Sequence, residues 1–524
     1  MSWGFDVSNI DKSVRPTDDF YQYANGYWLR KNPIPPDESH WGSFYVLRKK
    51  SVEDLRAILE ETVKKRARIG SNLQKVRDFY LSAMNKKKLA ENGAKPLFMF
   101  FDMINKASCK DDIVSLAAYF RQIGIPALWS PSTDQDMKNS KTVALYLEQG
   151  GLGLPDRDYY LKTDKKSKEI RKKYIEYIKK MRGLTRREKT DSKKAIGAIM
   201  KIETMLAKAS MTRVERRDYE KQYNKMPVSR LARMAPSIDW EKYFEYLNAE
   251  KPKYLIVMQP LYMKQVDKML KSLPLEDWKH YLKWKVANAF ADYLNDDLVN
   301  ASFWFHGKIL SGIKKMKPRW RRVAAEIDSA LGEALGQLYV EKYFKQDAKK
   351  RINELVDNLI AAYRERIMSL DWMGDGTKKK ALEKLGAFSR KLGYPDKWKS
   401  YKKLNISPNS YLENHINAYR FEFLREIKKM GKKPDKKEWS MTPPTVNAYN
   451  NFLFNAITFP AGIMQPPFFD TKADSAVNYG AIGSVIGHEL THGFDDKGSA
   501  FNKNGEMKNW WSKKDRKLFE KKAK

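Results

Sequence analysis

The chain carries the stretch YGAIGSVIGHELTH at residues 479–492, and this stretch decides how the rest of the sequence is interpreted. Residues four apart on an α-helix share one face, so the imidazoles of His488 and His492 can reach one tetrahedral Zn²⁺ ion. Glu489 follows the first histidine, where its carboxylate can take a proton from a metal-bound water and pass it to a leaving amine. The motif therefore predicts one Zn²⁺ ion per chain and an endopeptidase chemistry.

An ordinary helix with two surface histidines is the alternative interpretation of this HExxH motif. Two observations argue against it. The chain has only six histidines, and two of them form the motif. The preceding segment is apolar and contains glycine, which favours a buried helix whose polar side chains need partners. The remaining histidines are interpreted as packing or surface residues: His40, His280, His306 and His415.

Length and composition predict a globular protein with more than one domain or lobe. At 524 residues the chain exceeds the size at which a single core keeps growing, and 42% hydrophobic residues suffice for packed cores. The single cysteine, Cys109, excludes an internal disulfide. The sequence shows no signal-peptide pattern and no apolar run of membrane-spanning length. We expect a soluble chain, cytoplasmic if Met1 is the true start and extracytoplasmic otherwise.

The net charge of +36 has two interpretations, attraction to polyanions or a lysine-rich solvated surface. The basic residues are dispersed in short runs, such as those at 86–88, 378–380 and 432–433. No zinc-finger spacing and no aromatic-rich RNA-binding motif accompanies them. We therefore favour the solvated surface and expect no specific nucleic-acid partner.

Helical periodicity dominates the chain, and strand patterns are few. The clearest amphipathic helix is predicted at 351–368, with others at 52–61, 168–181 and 193–208. Thr377 is a candidate cap for a helix that follows it. The best strand is predicted at 455–459, ended by Pro460. Proline-rich loops are predicted at 32–36 and 441–444. The glycine-rich segment 150–155 lacks phosphate-loop spacing and predicts a tight turn. The class is mainly α with a small β element.

Several further segments resemble signatures of the neprilysin and endothelin-converting-enzyme family of zinc metallopeptidases, including its bacterial oligopeptidase members. The match follows family order and covers essentially the whole chain. The segments are PTDDFY at 16–21, NGYW at 25–28, GLGLPDRDYY at 151–160, NAY at 447–449, FPAGIMQPPFF at 459–469, and GFDDKG at 493–498.

The resemblance implies a two-lobed, neprilysin-like architecture. Residues 1–410 would form a large, mostly helical lobe, and residues 411–524 the first part of an incomplete, thermolysin-like catalytic lobe. A cavity between such lobes would admit oligopeptides and exclude folded proteins. The family thus implies a zinc-dependent endopeptidase that hydrolyses oligopeptides on the amino side of hydrophobic residues.

The resemblance also implies roles for substrate-binding residues. Asn447 and Ala448 would hydrogen-bond the peptide backbone, which gives an extended substrate its register. Ile463, Phe468 and Val485 would line a pocket for the hydrophobic side chain just after the cleaved bond. Considered alone, these three apolar residues fit a core at least as well.

Two departures from the family pattern bear on these expectations. Asn450 stands where the family usually has a second tyrosine, which we interpret as affecting loop packing more than chemistry. More seriously, the family's third zinc ligand is a glutamate in a later ExxxD pattern, and no such pattern follows His492. Three other downstream carboxylates are weak substitutes: Glu506, Asp515 and Glu520. We expect a C-terminally truncated chain that binds zinc weakly and cleaves peptides poorly.

The acidic pair Asp495 and Asp496 leaves two interpretations open. Either residue could orient a zinc histidine from outside the ligand set, or the pair could end the zinc helix and shape its turn. Two other functions also remain open, a non-catalytic peptide-binding remnant and a polyanion-binding protein. The sequence assigns neither the natural peptide nor an oligomeric state.

Overall fold

The computed structural model describes residues 6–185, 192–344 and 346–523, and helices dominate it. The α-helices are α1 (Phe20–Lys31), α2 (Ser43–Lys64), α3 (Asn72–Met84), α4 (Lys86–Asn92), α5 (Phe98–Asn105), α6 (Lys110–Gln122), α7 (Asp158–Leu161), α8 (Lys165–Thr185), α9 (Ser192–Ala209), α10 (Tyr219–Gln222), α11 (Val228–Met234), α12 (Trp240–Tyr246), α13 (Pro260–Ser272), α14 (Leu275–Phe290), α15 (Asp296–Ser302), α16 (Arg319–Tyr343), α17 (Gln346–Met368), α18 (Asp375–Gly386), α19 (Tyr411–Ile427), α20 (Ser475–Gly480), α21 (Ile482–His492) and α22 (Lys513–Ala523). The strands are β1 (Trp129–Asp136), β2 (Asn139–Gln149), β3 (Lys225–Met226), β4 (Leu255–Val257), β5 (Ser389–Gly393), β6 (Tyr449–Asn451) and β7 (Ala456–Pro460). The predicted mainly helical class is confirmed.

The chain forms two compact units, each assembled from separate segments. The first unit contains Met1–Ala67, Ile313–Tyr401 and Asp435–Lys524, and the second contains Arg68–Gly312 and Lys402–Pro434. Each has its own hydrophobic core. The division of the chain into lobes at residues 1–410 and 411–524, which the family resemblance implied, stays a prediction. None of the helices in the described parts of the chain combines the length and apolarity that a membrane span requires.

The second unit buries a large aliphatic and aromatic core beside a four-stranded sheet. The strand order is β1-β2-β4-β3, with β2 and β4 parallel and the other two pairs antiparallel. The helices predicted at 168–181 and 193–208 lie within α8 and α9, as expected from their periodicity. The glycine-rich segment 150–155 is a turn, in which Gly151 adopts a positive φ of 74°.

The first unit contains a three-stranded sheet that lies next to the predicted metal helix. Its order is β5-β7-β6, with β5 parallel and β6 antiparallel to the central β7. β6 is therefore an edge strand. The predicted strand at 455–459 corresponds to β7, shifted by one residue. Asn455 has a positive φ of 47° and precedes the strand, whereas Pro460 is included in it and pairs with Gly393.

The prediction that Thr377 caps the start of α18 is wrong by three residues. The helix begins at Asp375, and Gly374 occupies the N-cap position with extended backbone. The side chain of Thr377 is buried within the helix, where its hydroxyl donates to Asp515 and accepts from the backbone N–H of Ser512 at 3.2 Å, so it binds the start of α22 and not that of its own helix. The helices predicted at 52–61 and 351–368 are confirmed within α2 and α17.

Candidate metal centre

The helix α21 presents a buried face and a more accessible face, and the motif residues divide between them. Ile482, Ile486 and Leu490 recur at helical spacing and are fully buried in the core of the first unit. His488 is exposed and His492 partly exposed on another side of the helix. The apolar stretch before His488 therefore anchors the helix while leaving both imidazoles accessible.

The two motif histidines converge through the same ring atom. Nε2 of His488 and Nε2 of His492 lie 2.9 Å apart, and the rings meet edge to face with centroids 4.4 Å apart. Two imidazole nitrogens bound to one zinc ion at about 2.0–2.1 Å lie roughly 3.3 Å apart in a tetrahedral arrangement. The donor pair thus fits a shared metal ion.

Asp495 determines which nitrogen of His492 faces the neighbouring ring. Its Oδ2 lies 2.8 Å from Nδ1 of His492. A carboxylate accepts a hydrogen bond, so the proton of the neutral imidazole resides on Nδ1 and Nε2 keeps its lone pair. Oδ1 of the same carboxylate accepts from the backbone N–H groups of Lys497 at 2.9 Å and Gly498 at 2.8 Å. One side chain therefore makes both contacts that the sequence offered as alternatives.

Its neighbour Asp496 is exposed, unlike the partly buried Asp495.

The turn after α21 folds back so closely that a Cβ at Gly498 would collide with the carbonyl oxygen of His492. Only glycine fits there. The backbone after the metal helix is thereby fixed by sterics as well as by the Asp495 hydrogen bonds.

Glu489 is buried beside the two histidines. Only 6% of its surface is exposed. Burial raises the pKa of Glu489 above its ordinary value, while His492, His488 and the backbone N–H of Asn450 act to lower it. A carboxyl with a raised pKa next to two histidines is suited to accept a proton and to return it.

Asn450 connects the edge strand to the metal helix, a role that sequence reasoning missed. Its Nδ2 donates to the backbone oxygen of Glu489 at 2.8 Å. That oxygen belongs to the last turn of α21, where carbonyls lose their regular intrahelical partners. The interpretation of Asn450 as a loop-packing residue therefore understated it, because its side chain touches the backbone of the proposed catalytic residue.

Asn447 and Ala448 precede the edge strand β6 directly. Ala448 is buried and Asn447 half-buried, and α21 packs beside β6. Upstream, Arg48 donates to the carbonyl of Val446 at 3.3 Å and Ser51 to that of Pro444 at 2.8 Å. The segment leading into β6 is thus anchored by α2.

The three predicted pocket residues lie in or against the core of the first unit. Ile463 is fully buried, Phe468 is 8% exposed, and Val485 is partly buried. The Phe468 ring packs on Phe44 with centroids 4.4 Å apart. The backbone oxygen of Phe468 accepts from the N–H of Ile482 at the start of α21, which places this residue next to the metal helix.

The downstream carboxylates considered as further ligands are engaged elsewhere. Asp515 is buried and accepts from Thr377, Glu520 pairs with Arg516 at 2.8 Å, and Glu506 accepts from Asn502 at 3.2 Å. Among the residues that the structure describes, no cluster of three or more His, Cys, Asp or Glu side chains is arranged to hold a metal ion.

The remaining histidines sit in aromatic or buried surroundings, in keeping with their interpretation as packing or surface residues. His40 is exposed and stacks on Tyr45, and His415 stacks on Tyr293 with centroids 3.8 Å apart. Burial lowers the pKa of His280 and of His306.

Lys384 is a second residue that sequence reasoning missed. Located on α18, it is 2% exposed and donates to three backbone oxygens that follow the metal helix. One signal was available in the sequence. Thr377, Ala381 and Leu385 are the buried face of α18 at helical spacing, and position 384 falls on the same face.

Comparison with known proteins agrees with this geometry. Peptidase family M13 matches the chain over residues 16–395 with its N-terminal part and over 447–524 with its second part. Endothelin-converting enzyme 1 from Rattus norvegicus is 31% identical over 530 residues, which cover 96% of this chain and 68% of that protein.

Solved structures agree as well. The crystal structure of zinc metalloprotease Zmp1 from Mycobacterium tuberculosis superposes with a TM-score of 0.95 at 36% identity, covering 99% of this chain and 78% of that one. PepO from Lactobacillus rhamnosis superposes with a TM-score of 0.84 at 25% identity, covering 97% and 80%. The predicted neprilysin-like, mainly helical fold is confirmed. Its sequence motifs, its fold and these relatives all agree, and the chain belongs to peptidase family M13.

Proposed function

We propose that this chain is a zinc-dependent endopeptidase that hydrolyses oligopeptides on the amino side of hydrophobic residues. The observation that carries the proposal is the convergence of His488 and His492 through Nε2, with the buried carboxyl of Glu489 next to them on the same helix. Membership of a peptidase family supports the reaction class.

In this proposal His488 and His492 hold the zinc ion through Nε2, and Asp495 keeps the proton of His492 on Nδ1. When bound, the zinc ion supplies Lewis acidity at the scissile carbonyl and acidifies water. The Oε atoms of Glu489 receive the proton released during attack and return it to the departing amine nitrogen. Burial of Glu489 favours that return, because a carboxyl with a raised pKa holds a proton more readily.

The substrate backbone would align with the segment ahead of β6. Asn447 offers a side-chain amide and Ala448 a backbone segment next to an edge strand, so an extended peptide can add hydrogen bonds there. Ile463, Phe468 and Val485 would form the apolar recess for the residue after the cleaved bond. Their position against the start of α21 supports this assignment.

Two histidines leave zinc one protein ligand short of the usual three. We therefore expect these 524 residues to bind zinc weakly and to hydrolyse peptides slowly. A peptide-binding protein without catalysis is the second candidate, favoured by the engagement of Glu506, Asp515 and Glu520 with other partners.

The test compares the chain with Glu489→Gln, an isosteric change that removes the proton acceptor. With zinc added, a quenched fluorescent peptide library read by mass spectrometry should show cleavage before hydrophobic residues. Glu489→Gln should reduce the rate by about 100-fold or more. Glu520→Gln, which alters an exposed carboxylate on α22, is the matched control and should retain the starting rate.

Three outcomes separate the candidates. Cleavage lost in Glu489→Gln and kept in the control supports the peptidase. Peptide binding without cleavage in either chain supports the binding protein. Equal cleavage by the chain and Glu489→Gln would overturn the assigned role of Glu489.

A further inference from the structure

The ammonium group of Lys384 occupies a closed site beneath the turn that follows the metal helix. Its Nζ donates to the backbone oxygens of Gly493 at 2.6 Å, Gly498 at 2.7 Å and Phe501 at 2.7 Å. These three bonds use all three hydrogens of the ammonium group. The ring faces of Phe494 and Trp510 lie 5.4 and 5.8 Å from the same atom.

The three carbonyl groups belong to the turn that carries Asp495. Gly493 comes two residues before Asp495 in the chain. Gly498, three residues after it, donates its own N–H to the Asp495 carboxylate. Lys384 therefore holds both ends of the turn at once.

This turn also determines the orientation of the His492 imidazole. Oδ1 of Asp495 accepts from the backbone N–H groups of Lys497 and Gly498, and Oδ2 lies next to Nδ1 of His492. A continuous series of hydrogen bonds thus runs from Lys384 through the Gly498 peptide and Asp495 to His492.

A lysine at position 384 carries a desolvation cost that an apolar residue would not. An ammonium group at 2% exposure loses nearly all its hydration. An apolar residue at position 384 would continue the buried face formed by Thr377, Ala381 and Leu385 without that loss. The positive charge also acts on Asp495, which favours the ionised form of the lysine in return.

We propose that Lys384 is a positioning residue of the metal centre: it holds the turn 493–501 so that Asp495 keeps the proton of His492 on Nδ1 and leaves Nε2 free for the metal. The proposal rests on the proposed function, in which His492 is a zinc ligand. It predicts that Lys384 influences the metal without touching it.

The first experiment measures zinc affinity by competition with a chromophoric chelator, using the full 524-residue chain. Asp495→Asn should weaken zinc binding by about 10–100-fold, the usual effect of losing a partner that orients a ligand. Lys384→Met, similar in length but without donors, should weaken it by about tenfold. Lys379→Met, which changes an exposed lysine on the same helix, should leave the affinity unchanged.

A double-mutant cycle separates positioning from general destabilisation. If Lys384 acts through Asp495, the double variant Lys384→Met with Asp495→Asn should bind zinc no more weakly than Asp495→Asn alone. Additive losses would show that Lys384 acts by another route and would overturn the proposal.

The second experiment needs no metal. Because the chain has six histidines, selective ¹⁵N labelling of histidine resolves the protonation of each ring nitrogen. In the metal-free chain His492 should carry its proton on Nδ1, and Lys384→Met should shift part of the population to Nε2. An unchanged His492 tautomer in a folded Lys384→Met chain would contradict the proposal.

These two experiments also distinguish failure of the proposal from failure of the proposed function. A chain that binds no zinc, yet whose His492 tautomer responds to Lys384→Met, would refute the metal site and leave the positioning series intact. Should Lys384→Met fail to fold, Lys384→Gln retains two amide donors and gives the same tautomer measurement. The proposal would be overturned if hydrogen exchange showed that Lys384→Gln loosens the turn and the His492 tautomer nevertheless stayed unchanged.

Discussion

Each compact unit contains a fully buried lysine that binds the backbone of a turn, and the two lysines differ in how their charge is balanced. In the second unit Lys285 donates to the carbonyls of Leu152 at 3.0 Å and Gly151 at 3.4 Å, in the glycine-rich turn. The buried carboxylate of Glu203 acts on it directly. In the first unit Lys384 binds three carbonyls, and the one carboxylate acting on it, Asp495, is already bonded to His492.

The carboxylate in the second unit is itself secured by neutral donors. Tyr160 donates to Glu203 at 2.7 Å and Tyr174 at 2.8 Å. The lysine and the glutamate there form a closed, mutually compensating set with no accessible group. The corresponding set in the first unit ends at a partly exposed imidazole. A buried lysine bound to a turn thus contributes to stability in the second unit, whereas in the first unit it is connected to the candidate site.

The largest expected effect is a loss of stability in the second unit when Lys285 is replaced. Lys285→Met removes the donor to two carbonyls of this turn and the cation that acts on Glu203, and leaving buried polar groups without a partner typically lowers the free energy of unfolding by about 1–3 kcal/mol. Hydrogen exchange with mass spectrometry, read on peptides of the second unit, measures the loss. The exposed Lys268 on α13 supplies the control variant Lys268→Met, which should retain wild-type protection. Protection unchanged in Lys285→Met would show that the two lysines are not comparable.

The contribution of Lys384 to the free energy of unfolding should depend on pH. Burial lowers the pKa of Lys384 from 10.5 to about 7. Below pH 7 both the folded and the unfolded chain carry this proton, so the burial penalty is fully present. Between about pH 7 and 10.5 the unfolded chain binds the proton and the folded chain does not, so stability from this group rises with pH.

The measurement is the free energy of unfolding of the chain minus that of Lys384→Met, taken across this pH range. The difference should rise with pH by at most about 1.4 kcal/mol per pH unit, the value for one proton. A difference that stays flat or falls between pH 7 and 10 would contradict the assignment of a buried, destabilised ammonium group to position 384.

The smallest effect concerns an exposed lysine at the same junction of helix and turn. Lys503 pairs with Glu383, the residue before Lys384, at 3.0 Å, and both side chains are largely exposed. Surface pairs of this kind contribute little. Lys503→Met should therefore leave both the midpoint of thermal unfolding and the zinc affinity unchanged, in contrast to Lys384→Met. A loss of zinc affinity in Lys503→Met would show that the turn depends on more than its buried contact.

The sequence predicted those features that depend on local spacing. Two histidines four residues apart identified α21, because the helical period alone places them together. The β-branched run identified β7 to within one residue. In both cases the information is contained in a dozen consecutive residues.

Other features depend on contacts between distant segments and could not be read from spacing. Lys384 and the turn at 493–501 are more than a hundred residues apart, and although helical spacing places position 384 on the buried face of α18, it does not identify the carbonyls that its ammonium group binds. Asn450 was noticed only as a departure from a family pattern, since its partner is the backbone of Glu489. The start of α18 was misplaced because the hydroxyl of Thr377 binds Asp515, which lies on α22.

The brevity of β6 has a consequence for self-association. An outer strand offers unpaired N–H and C=O groups to any extended chain, including a second copy of the same protein. At about 3.3 Å per residue, the three residues of β6 extend over only some 10 Å, room for two or three backbone hydrogen bonds. A short edge of this kind contributes little to pairing between folded copies. Under the proposed function, a peptide would lie along it only when further contacts anchor it.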